Sequence, residues 1–268
     1  KNRMKNAYLN LTLQDSYWNV APTQFQRSTF PSTVQHKFSV IHDGVDALKA
    51  SPNGLSGSLT LPCGTLLTKG DPIVTFVNRS LEPYRGCHTF LRSIPLLQKL
   101  IPEVRVVIVG STTGVSYGAA CPSGEWRDRF LAEIDGDYDP SRVHFTGTLP
   151  YEHFLPLLRL SACHVYLTYP FVLSWSLLEA MSCACPIVGS STAPVQEVIR
   201  DGYNGLLVDF FSPQALAEAM ADLLRSPERA TALGRAARDT VLKDYSLDVC
   251  LPRQLQLINL VASRSIGG

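Results

Sequence analysis

CHVYLTYPFVLSWSLLEAMSCACPIVGSSTAPVQEVI, residues 163–199, is the stretch that decides the fold. Val165-Tyr166-Leu167-Thr168-Tyr169 is an apolar, β-rich run of strand length, closed by Pro170. Ser174 stands at a helix N-cap position, and Trp175 to Ala184 reads as one helix. Pro186 breaks that helix, and Ile187-Val188-Gly189 opens a second strand. The order strand, helix, strand sets the helix N-terminus just past the carboxyl end of a strand, the edge where open α/β sheets bind ligands. Leu177, Leu178, Ala180, Met181, Cys183 and Ala184 cover nearly the whole helix circumference, which predicts burial almost all round. Trp175, a large aromatic beside this apolar helix, reads as core rather than as a stacking platform for a ligand. Glu179 is the one charge inside the helix. A buried carboxylate is costly unless paired, hydrogen-bonded or bound to a ligand, so Glu179 either meets a nearby Arg or serves a site.

The same alternation extends to both sides. Ile73–Val77, Val104–Val109 and Val143–Thr146 read as buried strands, and Gly205–Val208 as another. Helical patterns occupy 88–101, 124–134, 151–160, 213–224, 227–242 and 247–261, with Pro95 expected to kink the first or delay its start. Strands alternating with helices predict a doubly wound parallel α/β sheet, Rossmann-like, with helices on both faces. Upstream, 23–31 is a short helix ended by a proline, 37–41 a strand, and 59–61 with 65–67 a small hairpin on a Gly/Ser/Pro-rich connector.

Composition narrows the function. With 45% hydrophobic and 18% charged residues, the 268-residue chain can build a sizeable core. Its net charge of +1 gives no electrostatic case for nucleic acid. No apolar run reaches the ~18 residues of a bilayer span, and Lys1 to Leu11 lacks the apolar core of a signal peptide. Lys1 in place of an initiator Met is read as the start of a fragment or trimmed chain. Seven cysteines, an odd number in mostly apolar surroundings, point to reduced thiols and a cytoplasmic protein. Cys183-x-Cys185 has no matching pair for zinc, and the six histidines show no ligand spacing.

Two further constellations carry chemistry. Arg79 and Arg85 flank the loop of Val77-Asn78-Arg79-Ser80-Leu81-Glu82-Pro83-Tyr84-Arg85-Gly86, between a strand and a helix. A diphosphate needs fixed positive charge with directed donors, and guanidinium supplies both. The alternative is a surface pair between Glu82 and Arg85. The strand 143–146 ends at Gly147, before Leu149, where backbone amides can come close to a flat base. Gly110-Ser111-Thr112-Thr113-Gly114 lacks the dinucleotide spacing, which makes an NAD dehydrogenase the weakest reading.

In order, the Arg79…Arg85-Gly86 loop, Val143-x-Phe145-x-Gly147, Leu177-Leu178-Glu179-Ala180-Met181, Pro186-Ile187-Val188, Glu197-Val198-Ile199, Asp201-Gly202 and Asn204-Gly205-Leu206-Leu207-Val208 resemble the C-terminal half of retaining GT-B glycosyltransferases of family 4. The likeness covers about residues 20–265. It implies four segments: 1–46 the end of an N-terminal GT-B domain and its link, 47–71 a connector, 72–245 the nucleotide-sugar-binding domain, and 246–268 a C-terminal helix that packs back toward the N-terminal domain. It further implies that Arg79 and Arg85 bind the donor diphosphate and that Glu179, the second glutamate of E-x7-E, holds the ribose. The Arg79–Arg85 spacing is one residue longer than the family pattern. Gly147 and Leu149 would meet the base through backbone. The amides of Ser174, Trp175 and Ser176 would face the phosphates and sugar.

The likeness implies no metal and no cofactor; the donor is a nucleoside diphosphate sugar. Asp135-Gly136-Asp137 has D-x-D spacing but reads as a solvated turn. The acceptor is a glycan, as in polysaccharide assembly. Peripheral membrane contact, if any, belongs to the missing N-terminal domain, roughly 150 residues or more by domain size. This chain alone is expected to bind nucleotide and transfer no hexose. The first glutamate of E-x7-E falls at Phe171, and the glycine that usually follows is Ser174. A variant catalytic branch fits that departure, and so does a binding domain with weakened chemistry. A UDP-sugar epimerase-like protein and a nonenzymatic nucleotide-sugar-binding module remain as alternatives.

Overall fold

The computed structural model describes residues 2–54 and 57–265. Residues 1, 55–56 and 266–268, parts of the expected first, connector and last segments, lie outside the described residues. The chain opens with helix α1 (Asn2–Asp15), strand β1 (Asn19–Ala21), helix α2 (Gln24–Ser28) and strand β2 (Phe38–Val40). β1 and β2 pair in parallel over a small cluster of Leu13, Ala21 and Phe38. The sequence reading did not anticipate α1. Asn2–Asp15 carries Met4, Ala7, Tyr8 and Leu11 at helical spacing, yet Met4, Tyr8, Leu9 and Leu11 stay exposed. The α2 helix is seated from afar: the Glu197 carboxylate accepts from the Gln24 and Phe25 amides at 2.7 and 2.5 Å. A carboxylate on first-turn amides satisfies donors that the helix itself leaves open.

The expected hairpin forms as antiparallel β3 (Ser58–Thr60) and β4 (Leu66–Thr68). Next come β5 (Ile73–Ser80), α3 (Cys87–Leu100), β6 (Arg105–Ser111), α4 (Trp126–Ala132), β7 (Val143–Gly147), α5 (Tyr151–Leu160) and β8 (Cys163–Tyr166). The chain then runs through α6 (Trp175–Ser182), β9 (Ile187–Ser190), α7 (Ala193–Gln196), β10 (Leu206–Val208), α8 (Pro213–Arg225), α9 (Pro227–Asp244) and α10 (Leu247–Ser265). Six strands lie in the order β10-β9-β8-β5-β6-β7, every pairing parallel. Counted within the sheet this is the 3-2-1-4-5-6 order of a doubly wound dinucleotide-type fold, so strand order reverses between β5 and β8. The expected α/β fold class therefore holds.

Burial explains why these segments become strands. Ile73, Val74, Val106, Val107, Val165, Ile187 and Val188 are fully buried from both faces of the sheet. One core layer joins α3 and α8 to the sheet, and the other joins α5, α6 and α9. Each fully buried Leu, Ile or Val contributes about 1.5–3 kcal/mol.

Several boundaries differ from the sequence reading for local reasons. α3 runs through Pro95 without ending, because Pro95 is buried among neighbours packed on α8. α4 starts at Trp126, after Gly124 turns left-handed at φ +65°. β8 stops at Tyr166, because the next ladder donor, the Thr168 amide, bonds the Ser190 hydroxyl instead of a carbonyl. β5 runs on to Ser80 across an irregularity, so Arg79 sits on the strand end rather than in the loop. Among the described residues, no helix is long and apolar enough to cross a membrane.

Candidate functional site

Where strand order reverses, the loops after β5, β6, β7 and β8 part and leave a crevice of about 430 Å3. Its walls include Arg79, Arg85, Glu82, Tyr117, Leu149 and the start of α6 at Ser174, Trp175 and Ser176. Gly147 and Glu179 do not line it directly. The crevice thus gathers six of the eight residues singled out from sequence, from segments up to 97 positions apart.

Arg85 is the centre of the site. The residue is 7% exposed, and its guanidinium Nη1 donates to the Thr168 hydroxyl at 3.1 Å, the Tyr166 hydroxyl at 3.4 Å and the Val172 carbonyl at 3.4 Å. These partners all lie on β8 or the loop after it, across the β5–β8 reversal from Arg85, and are all uncharged. Two aromatic faces flank the cation, Phe171 at 4.6 Å and Tyr117 at 5.3 Å. The proposed surface pair with Glu82 does not exist. Glu82 is fully buried and spends one oxygen on the Ser116 and Tyr117 amides, at 2.8 and 2.9 Å. No carboxylate pairs with Arg79 or Arg85 among the described residues, so two positive charges face one hollow.

Gly86 lets Arg85 reach this position. It is left-handed at φ +71°, and a Cβ on it would come within 2.4 Å of the Leu167 Cβ. The loop after β5 can therefore close on the loop after β8 only through a glycine.

The start of α6 supplies a different chemistry. Ser174 is the N-cap in extended backbone, yet its hydroxyl caps no amide and instead accepts from the Ser176 hydroxyl at 3.2 Å. Tyr166 holds the entry by accepting from the Ser174 amide at 2.8 Å. The first-turn amides of α6 thus point at the crevice with no side-chain cap, a favourable place for an anion. Trp175 corrects the sequence reading: it is 57% exposed, with its indole N–H donating to Asp43 at 3.2 Å. Glu179 lies one turn on, on the same helix face as Trp175. That face stays open while Leu177, Leu178, Ala180 and Met181 are buried, so α6 is not enclosed all round.

Glu179 is half-buried and meets no guanidinium among the described residues. The Tyr151 hydroxyl donates to its Oε1 at 2.9 Å. Burial raises the Glu179 pKa, and the Tyr151 bond pulls it part of the way back. Burial and the Glu179 charge together push the Tyr151 phenol up. Tyr151 opens α5, directly after the 147–150 loop, so this bond ties Glu179 to the segment holding Gly147 and Leu149. Gly147 is left-handed at φ +67°, with open space where a Cβ would stand. Sequence reasoning missed Tyr151, Tyr117 and Tyr166, since no local spacing links Tyr151 to Glu179, 28 residues on, or Tyr117 and Tyr166 to Arg85, 32 and 81 residues back. It did single out Glu82, but for the wrong partner.

Other hollows lack this combination. One of about 620 Å3 opens at the amino edge of the sheet, beside Arg159 and Arg238. Those cations already bind backbone carbonyls: Arg159 those of Lys49 and Ser51, and Arg238 those of Ala50 and Ser182, fastening the connector to α5 and α9 and α9 to α6. Asp135 and Asp137 are exposed on a turn around Gly136. All seven cysteines are free thiols, and no acidic, His or Cys group of three among the described residues has metal-holding geometry.

Comparison with known proteins agrees with the topology. Residues 64–240 match the family model described as glycosyl transferases group 1, and residues 1–49 match that described as glycosyl transferase family 4 group. The chain is 25% identical over 250 residues to alpha-maltose-1-phosphate synthase of Mycolicibacterium smegmatis, covering 88% of this chain and 60% of that one. It is 28% identical over 181 residues to the GDP-mannose-dependent alpha-(1-6)-phosphatidylinositol monomannoside mannosyltransferase of the same organism, covering 65% and 44%. Anabaena Alr3699/HepE, solved in complex with UDP-glucose, superposes with a TM-score of 0.72 at 16% identity, covering 96% of this chain and 67% of that one. The chain spans about half the length of the curated relatives it matches.

Proposed function

We propose a function from one premise: this chain belongs to the glycosyl transferases group 1 family, with the GT-B fold. It is the donor-binding half of a retaining glycosyltransferase that moves a hexose from a nucleoside diphosphate sugar to a glycan. The observation that carries this reading is the pair Arg79 and Arg85, without counter-ions, opposite the uncapped start of α6 in one crevice. A diphosphate placed there would take directed N–H bonds from the guanidinium groups and from the Trp175 and Ser176 amides. The base would lie against Gly147 and Leu149. Glu179, held by Tyr151, would accept from the vicinal ribose hydroxyls. Two relatives support the donor class by their own descriptions, one with UDP-glucose bound and one dependent on GDP-mannose.

In this reading, residues 72–245 form the donor domain, 1–46 carry the end of the acceptor lobe and its link, and 47–71 connect them. The final segment, from 246, packs back toward the acceptor lobe. The acceptor binds mostly on that lobe, so residues 1–268 alone bind donor and do not transfer. Phe171 gives one observation in favour of a second reading, a binding module without turnover, because it sets an aromatic ring where the family pattern has a carboxylate. Titration calorimetry with UDP, GDP and ADP tests the first step. Saturable binding of at least one, lost on Arg85→Ala, is expected; no binding of any would overturn the reading. A full-length protein that binds donor but neither transfers nor hydrolyses it would favour the second.

A further inference from the structure

The loop 112–125, after β6, lies over the crevice and carries Tyr117. Little of it is anchored by apolar packing: most of its residues are exposed, Tyr117 itself at 38%. It is fastened mainly by polar bonds. The Glu82 carboxylate accepts from the Ser116 and Tyr117 amides, the Ser116 and Ser80 hydroxyls meet at 2.8 Å, and Glu125 accepts from the Gly114 amide at 3.0 Å. Of these groups only Glu82 is both charged and fully buried. Its other oxygen, Oε1, has no protein partner among the described residues. Burying a carboxylate with no cation beside it is expensive, and the two directed amide bonds are what the side chain makes in return.

Those two amides, Tyr117's own and the one before it, fix the backbone that leads into the Tyr117 ring, and the ring lies on the Arg85 guanidinium, with Phe171 edge-on to Tyr117 at 4.8 Å. We propose that Glu82 is a positioning residue for the anion site: it pins the loop 112–125 so that Tyr117 and Phe171 together hold the Arg85 guanidinium at the crevice wall. Arg85 is bonded along one edge to Tyr166, Thr168 and Val172, and the rings restrict its swing about that edge. The aromatic clamp fixes the cation without supplying a competing negative charge. An acidic partner in place of the rings would neutralise the group that an incoming phosphate needs. This inference rests on the proposed donor site and deepens it.

The test uses the whole chain, with Glu82→Ala, Glu82→Gln and Tyr117→Ala, and UDP and UMP as probes. A glutamine keeps an oxygen for both amides, so Glu82→Gln should bind UDP within about threefold of wild type. Glu82→Ala should bind UDP roughly tenfold or more weakly, the scale of a lost charge-assisted bond, while UMP, which lacks the second phosphate, changes far less. Tyr117→Ala should match Glu82→Ala, and the double variant should be no weaker than either alone, since both act through one clamp. Chymotryptic cleavage after Tyr117 should speed up in Glu82→Ala and not in Glu82→Gln. A merely structural role would lower the melting temperature and weaken UDP and UMP alike, and that result would overturn the proposal. So would wild-type UDP affinity in Glu82→Ala, or additive losses in the double variant. Failure of the wild-type chain to bind UDP, GDP or ADP would instead remove the donor site beneath it.

Discussion

Replacing Phe171 by glutamate restores the residue type of the family pattern, and the structure predicts that it weakens donor binding. The Phe171 ring stands 4.6 Å from the Arg85 guanidinium carbon. A carboxylate on that stem would lie at about 5 Å from the cation, an attraction of about 3 kcal/mol at an effective dielectric of 20. Desolvation removes part of this, leaving ~1–3 kcal/mol that a phosphate must overcome to claim the same guanidinium. At ~1.4 kcal/mol per tenfold, Phe171→Glu should lose roughly 5- to 150-fold in nucleoside diphosphate affinity. Phe171→Leu is the control. It forfeits the ring–cation contact, ~0.5–1 kcal/mol at a partly exposed site, keeps an apolar group against Tyr117, and should lose about fivefold at most. Titration calorimetry with UDP and GDP reads both variants. If Phe171→Glu binds as tightly as the wild type or tighter, Arg85 is not the phosphate-facing cation, and the reasoning fails.

Three more perturbations follow from the same geometry. Tyr151→Phe removes the one hydrogen bond that holds the Glu179 pKa down against burial, so that pKa rises further and nucleotide affinity, measured by titration at stepped pH, should fall off at a higher pH than in the wild type; superimposable pH profiles would contradict the ribose role. His164 is fully buried, bonded to Thr75 at 2.9 Å, and pushed down to about 3 by burial. Below its ordinary 6.5 the unfolded chain takes the proton first, so stability is complete above 6.5 and is lost as pH falls toward 3, by up to ~1.4 kcal/mol per pH unit. Thermal melts of His164→Asn should show a shallower acid slope than wild type, and an equal slope would refute this. Gly86→Ala forces a Cβ to within 2.4 Å of Leu167 in a left-handed residue and should destabilise by several kcal/mol, on the scale of overpacking plus backbone strain; an unchanged melting temperature would refute the close approach.

The fold was legible because its signals are local. Val104–Val109, Val165 with its neighbours, and Ile187-Val188 are short aliphatic runs that suit only strands buried on both faces. Proline and glycine at 170, 186 and 86 punctuate them. Pattern alone does not give the order in which those strands pair, so the reversal between β5 and β8 came from the structure. At the site, charge was the readable signal: Arg79, Arg85 and Glu179 stand out because the surrounding residues are apolar. Their partners were not readable. The Tyr151–Glu179 bond spans 28 residues, and Glu82 looked like a partner for Arg85 three residues on, whereas backbone amides 34 and 35 residues away claim it. Trp175 was misread because the apolar residues of α6 suggested burial all round, while its 175 and 179 positions share the open face.

A crystal structure of this chain grown with a nucleoside diphosphate tests the central claim most directly. The account predicts the two phosphates between Arg79, Arg85 and the first turn of α6, with both ribose hydroxyls on Glu179 and the base along Gly147 and Leu149. Nucleotide bound elsewhere, such as in the hollow at the amino edge beside Arg159 and Arg238, or phosphates turned away from Arg85, would contradict it.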